Sequence, residues 1–98
     1  MDMISCRIHR GSGETIIAAC DEEVLGKTFR GNGLKIEIGD FYNGELIPPE
    51  TFIERMRSFT IMNLVGERTI SLAIEQGYVD KDSVITIGEV KHAQVVKG

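Results

Sequence analysis

Tryptophan is absent from this 98-residue chain, cysteine and proline occur only twice each, and basic residues never cluster. Two cysteines are too few for the disulfide framework of a small secreted domain, and they are expected to be buried, reduced thiols. The longest unbroken apolar run, residues 16–20, falls far short of the ~20 residues that cross a bilayer. The opening Met1-Asp2-Met3-Ile4 has neither the basic head nor the apolar body of a signal peptide, so the expected location is the cytosol, with no membrane partner. Eleven Lys and Arg against fifteen Asp and Glu leave a net charge of −4. A protein that coats duplex DNA needs a basic face to release counterions from phosphates, and that class is excluded as a partner.

What is present is ordinary for a globular protein: 42% apolar and 27% charged residues, in a length that suits one domain, residues 1–98. Ile4, Cys6 and Ile8 alternate with polar residues, as in a half-buried strand. Gly11-Ser12-Gly13 supplies a tight turn, and residues 15–20 form the second arm of a hairpin. A turn centred near Ser12 sets Cys6 opposite about Ala18 and Cys20 opposite about Ile4, so the thiols are diagonal neighbours on one face. Asp21 is expected to cap a short turn that Gly26 ends. Residues 34–38 read as a third strand, and Asn43-Gly44 as the turn of a second hairpin. Pro48-Pro49 opens a helix with Phe52, Ile53, Met56 and Phe59 on one face. A second helix is expected over 60–76, apolar around most of its circumference and stopped by Gly77. Strands over 84–87 and 92–96 close the chain. The expected fold class is α+β: two layers, a mainly antiparallel sheet with two main helices packed on one face.

Catalytic and ligand motifs fail when read residue by residue. Gly26-Lys27-Thr28 resembles the end of a phosphate loop, but Asp21 stands where that motif needs its first glycine. Asp80-Lys81-Asp82 opens like a calcium loop, yet its sixth position is Ile85 instead of glycine. Cys6, Cys20, His9 and His92 lack the spacing of a zinc site. No metal, cofactor or nucleophile motif is expected. The candidate binding residues are instead polar groups in apolar surroundings. Asn63, Glu67, Ser71 and Glu75 recur every four residues down the expected second helix. Such a stripe ordinarily faces water; alternatively Asn63 and Glu67 offer an amide and a carboxylate to a partner. Gly66 costs ~1 kcal/mol relative to alanine inside a helix, which suggests a close approach there. His92 and Gln94 share one face of the last strand, and Lys27 and Arg30 are the nearest approach to a basic pair.

Ala19-Cys20-Asp21, residues 25–30 (Leu-Gly-Lys-Thr-Phe-Arg), Phe41-Tyr42-Asn43-Gly44, Asn63-Leu64-Val65-Gly66-Glu67 and residues 92–96 (His-Ala-Gln-Val-Val) together resemble the small archaeal family called domain of unknown function 424. The resemblance runs over essentially the whole chain. It implies a stand-alone archaeal protein with a two-layer α/β fold and, from genes that neighbour its relatives, a link with translation; it carries no activity, cofactor or catalytic residue. The expected function is therefore a non-enzymatic binding module, an accessory of translation or RNA metabolism, with a protein or a structured RNA as partner. The rivals are a small enzyme using Glu67 with His92 or a cysteine, and an obligate homodimer.

Overall fold

A computed structural model describes residues 2–97. The first hairpin is present: β1 (Ile4–Gly11) and β2 (Glu14–Asp21) run antiparallel around Ser12 and Gly13, both at positive φ. Two such residues make a turn whose twist matches the strands it joins. The turn sets Gly11 opposite Glu14, which puts Cys6 opposite Ala19 and Cys20 opposite Ser5. That register is one residue from the expected one, and one residue reverses the side on which a side chain lies. The two thiols therefore sit on opposite faces of the sheet, each buried, and not diagonally on one face.

The largest departure from expectation lies at residues 60–76. The chain there is not one helix but a strand, β6 (Ile61–Val65), and a shorter helix, α2 (Glu67–Glu75), with Gly66 between them. β6 occupies the middle of a six-stranded sheet, parallel to β2 on one side and antiparallel to β8 (Val90–Val96) on the other. Apart from Asn63 this strand is apolar on both sides, Ile61 and Val65 on one and Met62 and Leu64 on the other, so its sequence lacks the alternation that separates strand from helix. Gly66 marks the boundary. Its φ of 110° and ψ of 154° are closed to other L-residues, and a Cβ there would stand 2.6 Å from Asp21 Oδ2. The four-residue polar stripe consequently does not exist: Asn63 belongs to the strand and Glu67 to the first turn of the helix.

The middle of the chain also departs from the expected hairpin. Asp40–Tyr42 is a short 3-10 turn, Asn43 has φ −84°, and β5 (Glu45–Ile47) pairs with β1 at the sheet edge. α1 (Pro49–Arg55) starts at the prolines as expected and stops before Phe59. β4 (Leu34–Glu37) is the expected third strand, but its partner is β3 (Thr28–Gly31), which alternation missed, and the two form a separate ribbon. β7 (Ile85–Ile87) completes the order β5-β1-β2-β6-β8-β7. The fold is α+β around a mixed sheet, since β2 and β6 run parallel.

Register divides the sheet into two faces. Cys6, Ala19, Leu64 and Ala93 lie in one row across four strands, and all four share a core cluster with Phe52 of α1, Met56 just after it, and Ile70 and Ala73 of α2. The next row, Ser5, Cys20, Val65 and His92, points the other way. Its Cys20 and Val65 join a smaller cluster with Ile38, Tyr42, Ile87 and Val90, against which Phe29 and Ile36 of the ribbon pack. The ribbon docks by close backbone approach. A Cβ on Gly31 would stand 2.8 Å from Gly88 Cα, and one on Gly88, at φ 63°, would stand 2.7 Å from the Arg30 carbonyl.

Asp21 does not cap the turn that follows it. Its buried carboxylate accepts from the Arg68 amide at 3.1 Å, the Thr69 amide at 2.8 Å and the Thr69 hydroxyl at 2.7 Å. These are free donors at the start of α2, so the cap crosses from the end of β2 to the helix that follows β6. Arg68 reaches back over it to Glu23 at 2.6 and 2.7 Å and to the Met3 carbonyl at 3.0 Å.

Candidate functional site

The ribbon reaches only part of its face. Two further rows on that face lie towards the start of β2 and β6: Arg7, Ala18, Asn63 and Gln94 in one, His9, Ile16, Ile61 and Val96 in the other. Ala18 is buried in the second cluster, yet Arg7 and Gln94 are exposed, Asn63, Ile16 and Ile61 are half-buried, and Val96 is 66% exposed. Large apolar side chains left in water this way, beside polar groups, distinguish a contact surface from a packed one.

Segment 40–43 walls the face along β1. The Arg7 guanidinium donates to the Asp40 carbonyl at 2.7 Å, and its remaining donors have no partner among the described residues. The His9 ring lies flat against Phe41, centroids 4.5 Å apart and planes 13° apart, with His9 Nε2 2.9 Å from the Phe41 carbonyl. Phe41 meets Tyr42 edge-on at 5.3 Å and is itself 42% exposed. Asn63 and Gln94 are Cα partners on β6 and β8, and among the described residues neither side-chain amide has a hydrogen-bond partner within the protein. His92 is half-buried in the adjoining row. Burial alone holds its imidazole below the usual value, so it is neutral at pH 7.

Of the six candidates from sequence, the structure therefore brings Asn63, His92 and Gln94 onto one surface. Glu67 is elsewhere, on the face that carries α2, paired with Lys91 at 3.0 Å. Lys91 and His92 are neighbours on one strand and point to opposite faces, so Glu67 and His92 do not converge on a shared reaction centre. Nor do the cysteines assist: burial pushes the Cys6 thiol up to about 11 and the Cys20 thiol up to about 12, far from a thiolate at neutral pH. Lys27 and Arg30 sit at the ribbon, exposed, with no ion pair among the described residues. The Gly26 amide is spent on the Ile38 carbonyl at 2.6 Å, so the Gly26-Lys27-Thr28 turn offers no cradle for phosphate. Asp80 Oδ1 accepts from the Asp82 amide at 3.0 Å, a turn closed on itself.

Sequence reasoning missed Arg7, His9, Ile61 and Phe41. The first two were legible as the polar side of an alternating strand, and the register needed to join them to Asn63 was not. Among the described residues no three His, Cys, Asp or Glu side chains meet in a geometry that could hold a metal ion, and no helix is long and apolar enough to cross a membrane.

The fold has a solved counterpart. The crystal structure of an uncharacterized conserved protein from Methanopyrus kandleri superposes with a TM-score of 0.78 at 23% sequence identity, over 98% of this chain and 95% of that one. At that identity the likeness shows the fold alone. No curated protein matches the chain. A family model does, over residues 9–97, a span that takes in every residue of the exposed rows except Arg7. The chain belongs to the family described as protein of unknown function DUF424.

Proposed function

We propose that this protein is a non-enzymatic binding module, a two-layer α+β domain whose helices cover one face of the sheet and whose other face binds structured RNA at an unpaired loop. The observation that carries the reading is the exposed pair of rows that sets Arg7, Asn63 and Gln94 in line beside the stacked His9 and Phe41. Unpaired bases are recognised by stacking on aromatic rings and by hydrogen bonds to their edges, and side-chain amides supply both donor and acceptor for those edges. Stacking contributes about 1–3 kcal/mol per base. One or two stacked bases, two amide contacts and one guanidinium on phosphate amount to micromolar affinity. The acidic balance of the chain fits this mode, because little of the affinity comes from charge.

A stem–loop RNA pool with a randomised loop, titrated against the protein by fluorescence anisotropy, tests the reading. Selected loops should bind with a dissociation constant near micromolar, and log affinity should fall against log salt with a slope of only about −0.7 per phosphate contacted. Asn63→Ala with Gln94→Ala should lower affinity at least about tenfold, the equivalent of 1.4 kcal/mol. Equal binding to a loopless duplex, or full affinity in the double variant, would overturn the proposal.

A further inference from the structure

The opposite side of the sheet holds a separate cleft between α2, β7, β8 and the turn Lys81–Ser83, with a volume of about 190 Å³. Its base is apolar, formed by Ile70, which is buried, with Ile74 and Val84. Its rim is polar, and the groups there are unevenly engaged. Lys91 is paired with Glu67, both exposed, whereas Lys81 has no ion pair among the described residues. Ser71 and Thr86 line the same space, and neither hydroxyl has a hydrogen-bond partner among the described residues. Two ammonium groups against one carboxylate leave the cleft one positive charge in excess.

We infer that this cleft binds a small monocarboxylate whose acid group meets Lys81 and the rim hydroxyls and whose short aliphatic or aromatic body rests on Ile70, Ile74 and Val84. Size sets the class. A dry cavity of ~150 Å³ lined by aliphatic and aromatic side chains accepts benzene, so this one has room for a single ring or a branched chain of a few carbons together with its acid group, and not for a nucleotide. Charge sets the sign and number: one excess positive charge is matched by one carboxylate, while a polyphosphate would meet Glu67 uncompensated. Chemistry sets the shape, because an anion without an apolar body leaves the base of the cleft in contact with water, and an uncharged molecule of the same body leaves Lys81 without its counter-charge. The Glu67–Lys91 pair is exposed and weak, so Lys91 can turn from Glu67 towards the ligand.

The test is an amide-resolved NMR titration of the full chain with benzoate and isovalerate, and with benzyl alcohol and inorganic phosphate as the two halves of the recognition. The carboxylates should give saturable shifts at millimolar concentration, confined to the amides of Ser71, Val84, Thr86 and Lys91, and neither control should do so. Lys81→Gln should weaken benzoate about fivefold, the scale of an exposed ion pair. Ser71→Phe, at a half-exposed position, should fill the mouth and abolish the shifts while the rest of the spectrum stays in place. Saturable binding by neither carboxylate, equal binding by either control, or undiminished affinity in Lys81→Gln would each overturn the inference.

Discussion

The two faces of one sheet meet opposite fates in this molecule. On one, the row of Cys6, Ala19, Leu64 and Ala93 shares a buried cluster with Phe52, Met56, Ile70 and Ala73, and further apolar side chains pack against it. On the other, a four-residue pair of strands and a short turn cover Cys20, Val65 and Val90 and then run out, leaving the rows of Asn63 and Ile61 open. Strand residues on both faces come from the same segments, so strand propensity cannot account for the difference. What differs is the amount of chain available to cover each face. The polar residues of the open rows are tolerated in folding because none of them has to be fully buried, and that freedom lets them serve recognition.

This contrast can be broken by substitution, and the largest effect belongs to the packed face. Phe52→Ala should cost about 3–5 kcal/mol, since a fully buried ring leaves a cavity that its surroundings close only in part. Urea denaturation measures it; a loss no greater than about 1 kcal/mol would mean that the core around Phe52 is far looser than its burial indicates. Next comes the joint between the strands and α2. Asp21→Ala removes one acceptor from three donors and should cost about 2–4 kcal/mol, combining a lost cap with stranded buried donors. Asp21→Asn, which keeps one acceptor oxygen, should recover part of that.

A smaller effect is expected where the ribbon docks. Gly88→Ala brings a methyl against the Arg30 carbonyl at a strained φ and should cost about 1–3 kcal/mol. More tellingly, it should loosen the ribbon and speed alkylation of Cys20 while leaving Cys6, in the other buried cluster, as slow as before. Equal acceleration of both thiols would show that the faces do not open separately.

The pH dependence of stability reports a still smaller interaction. The Arg68 guanidinium, bonded to both carboxylate oxygens of Glu23, holds that group down to about 2 from an ordinary 4.5. A carboxyl whose folded value is depressed binds protons sooner in the unfolded chain, so its stabilisation is complete above about pH 4.5 and is lost as pH falls towards 2. Glu23 is largely exposed, so the difference between wild type and Glu23→Gln across that window should stay below about 1 kcal/mol. Smallest of all, Asn63→Ala with Gln94→Ala should change stability by no more than about 0.5 kcal/mol, because neither amide is bonded within the protein. A cost of several times that would make the open rows part of the scaffold and remove them as a site.

How far this arrangement was legible in the sequence depended on whether the signal was local. Ser12-Gly13 fixes a turn from its own backbone preferences, and Pro48-Pro49 fixes the start of α1, so both elements could be read directly. Residues 61–65 could not, because they are apolar on both sides of the strand except at Asn63, and four-residue spacing from Asn63 to Glu75 mimicked a helix across the break. The one local mark of that break was Gly66, whose meaning depends on the carboxylate of Asp21 lying against it from 45 residues earlier in the chain. Asn43-Gly44 misled for the reverse reason: its preference for a tight turn yielded to the pairing of β5 with β1. At the candidate site, the polar character of Asn63, His92 and Gln94 was visible, but their company with Arg7 and His9 follows from strand order, which is set by contacts distant in sequence.

The parallel pairing of β2 with β6 has a kinetic consequence. Everything from the 3-10 turn after β2 through β3, β4, β5 and α1 must be threaded between those two strands before they can meet, and closing so long a loop is entropically slow. The β1–β2 hairpin needs no such wait, so the chain should spend its early folding life with β2 presenting an open edge and α2 lacking its cap. Only when β6 arrives beside β2 do the ladder bonds, the Gly66 bend and the Asp21 carboxylate fall into place together, so that junction should form late and as one cooperative step.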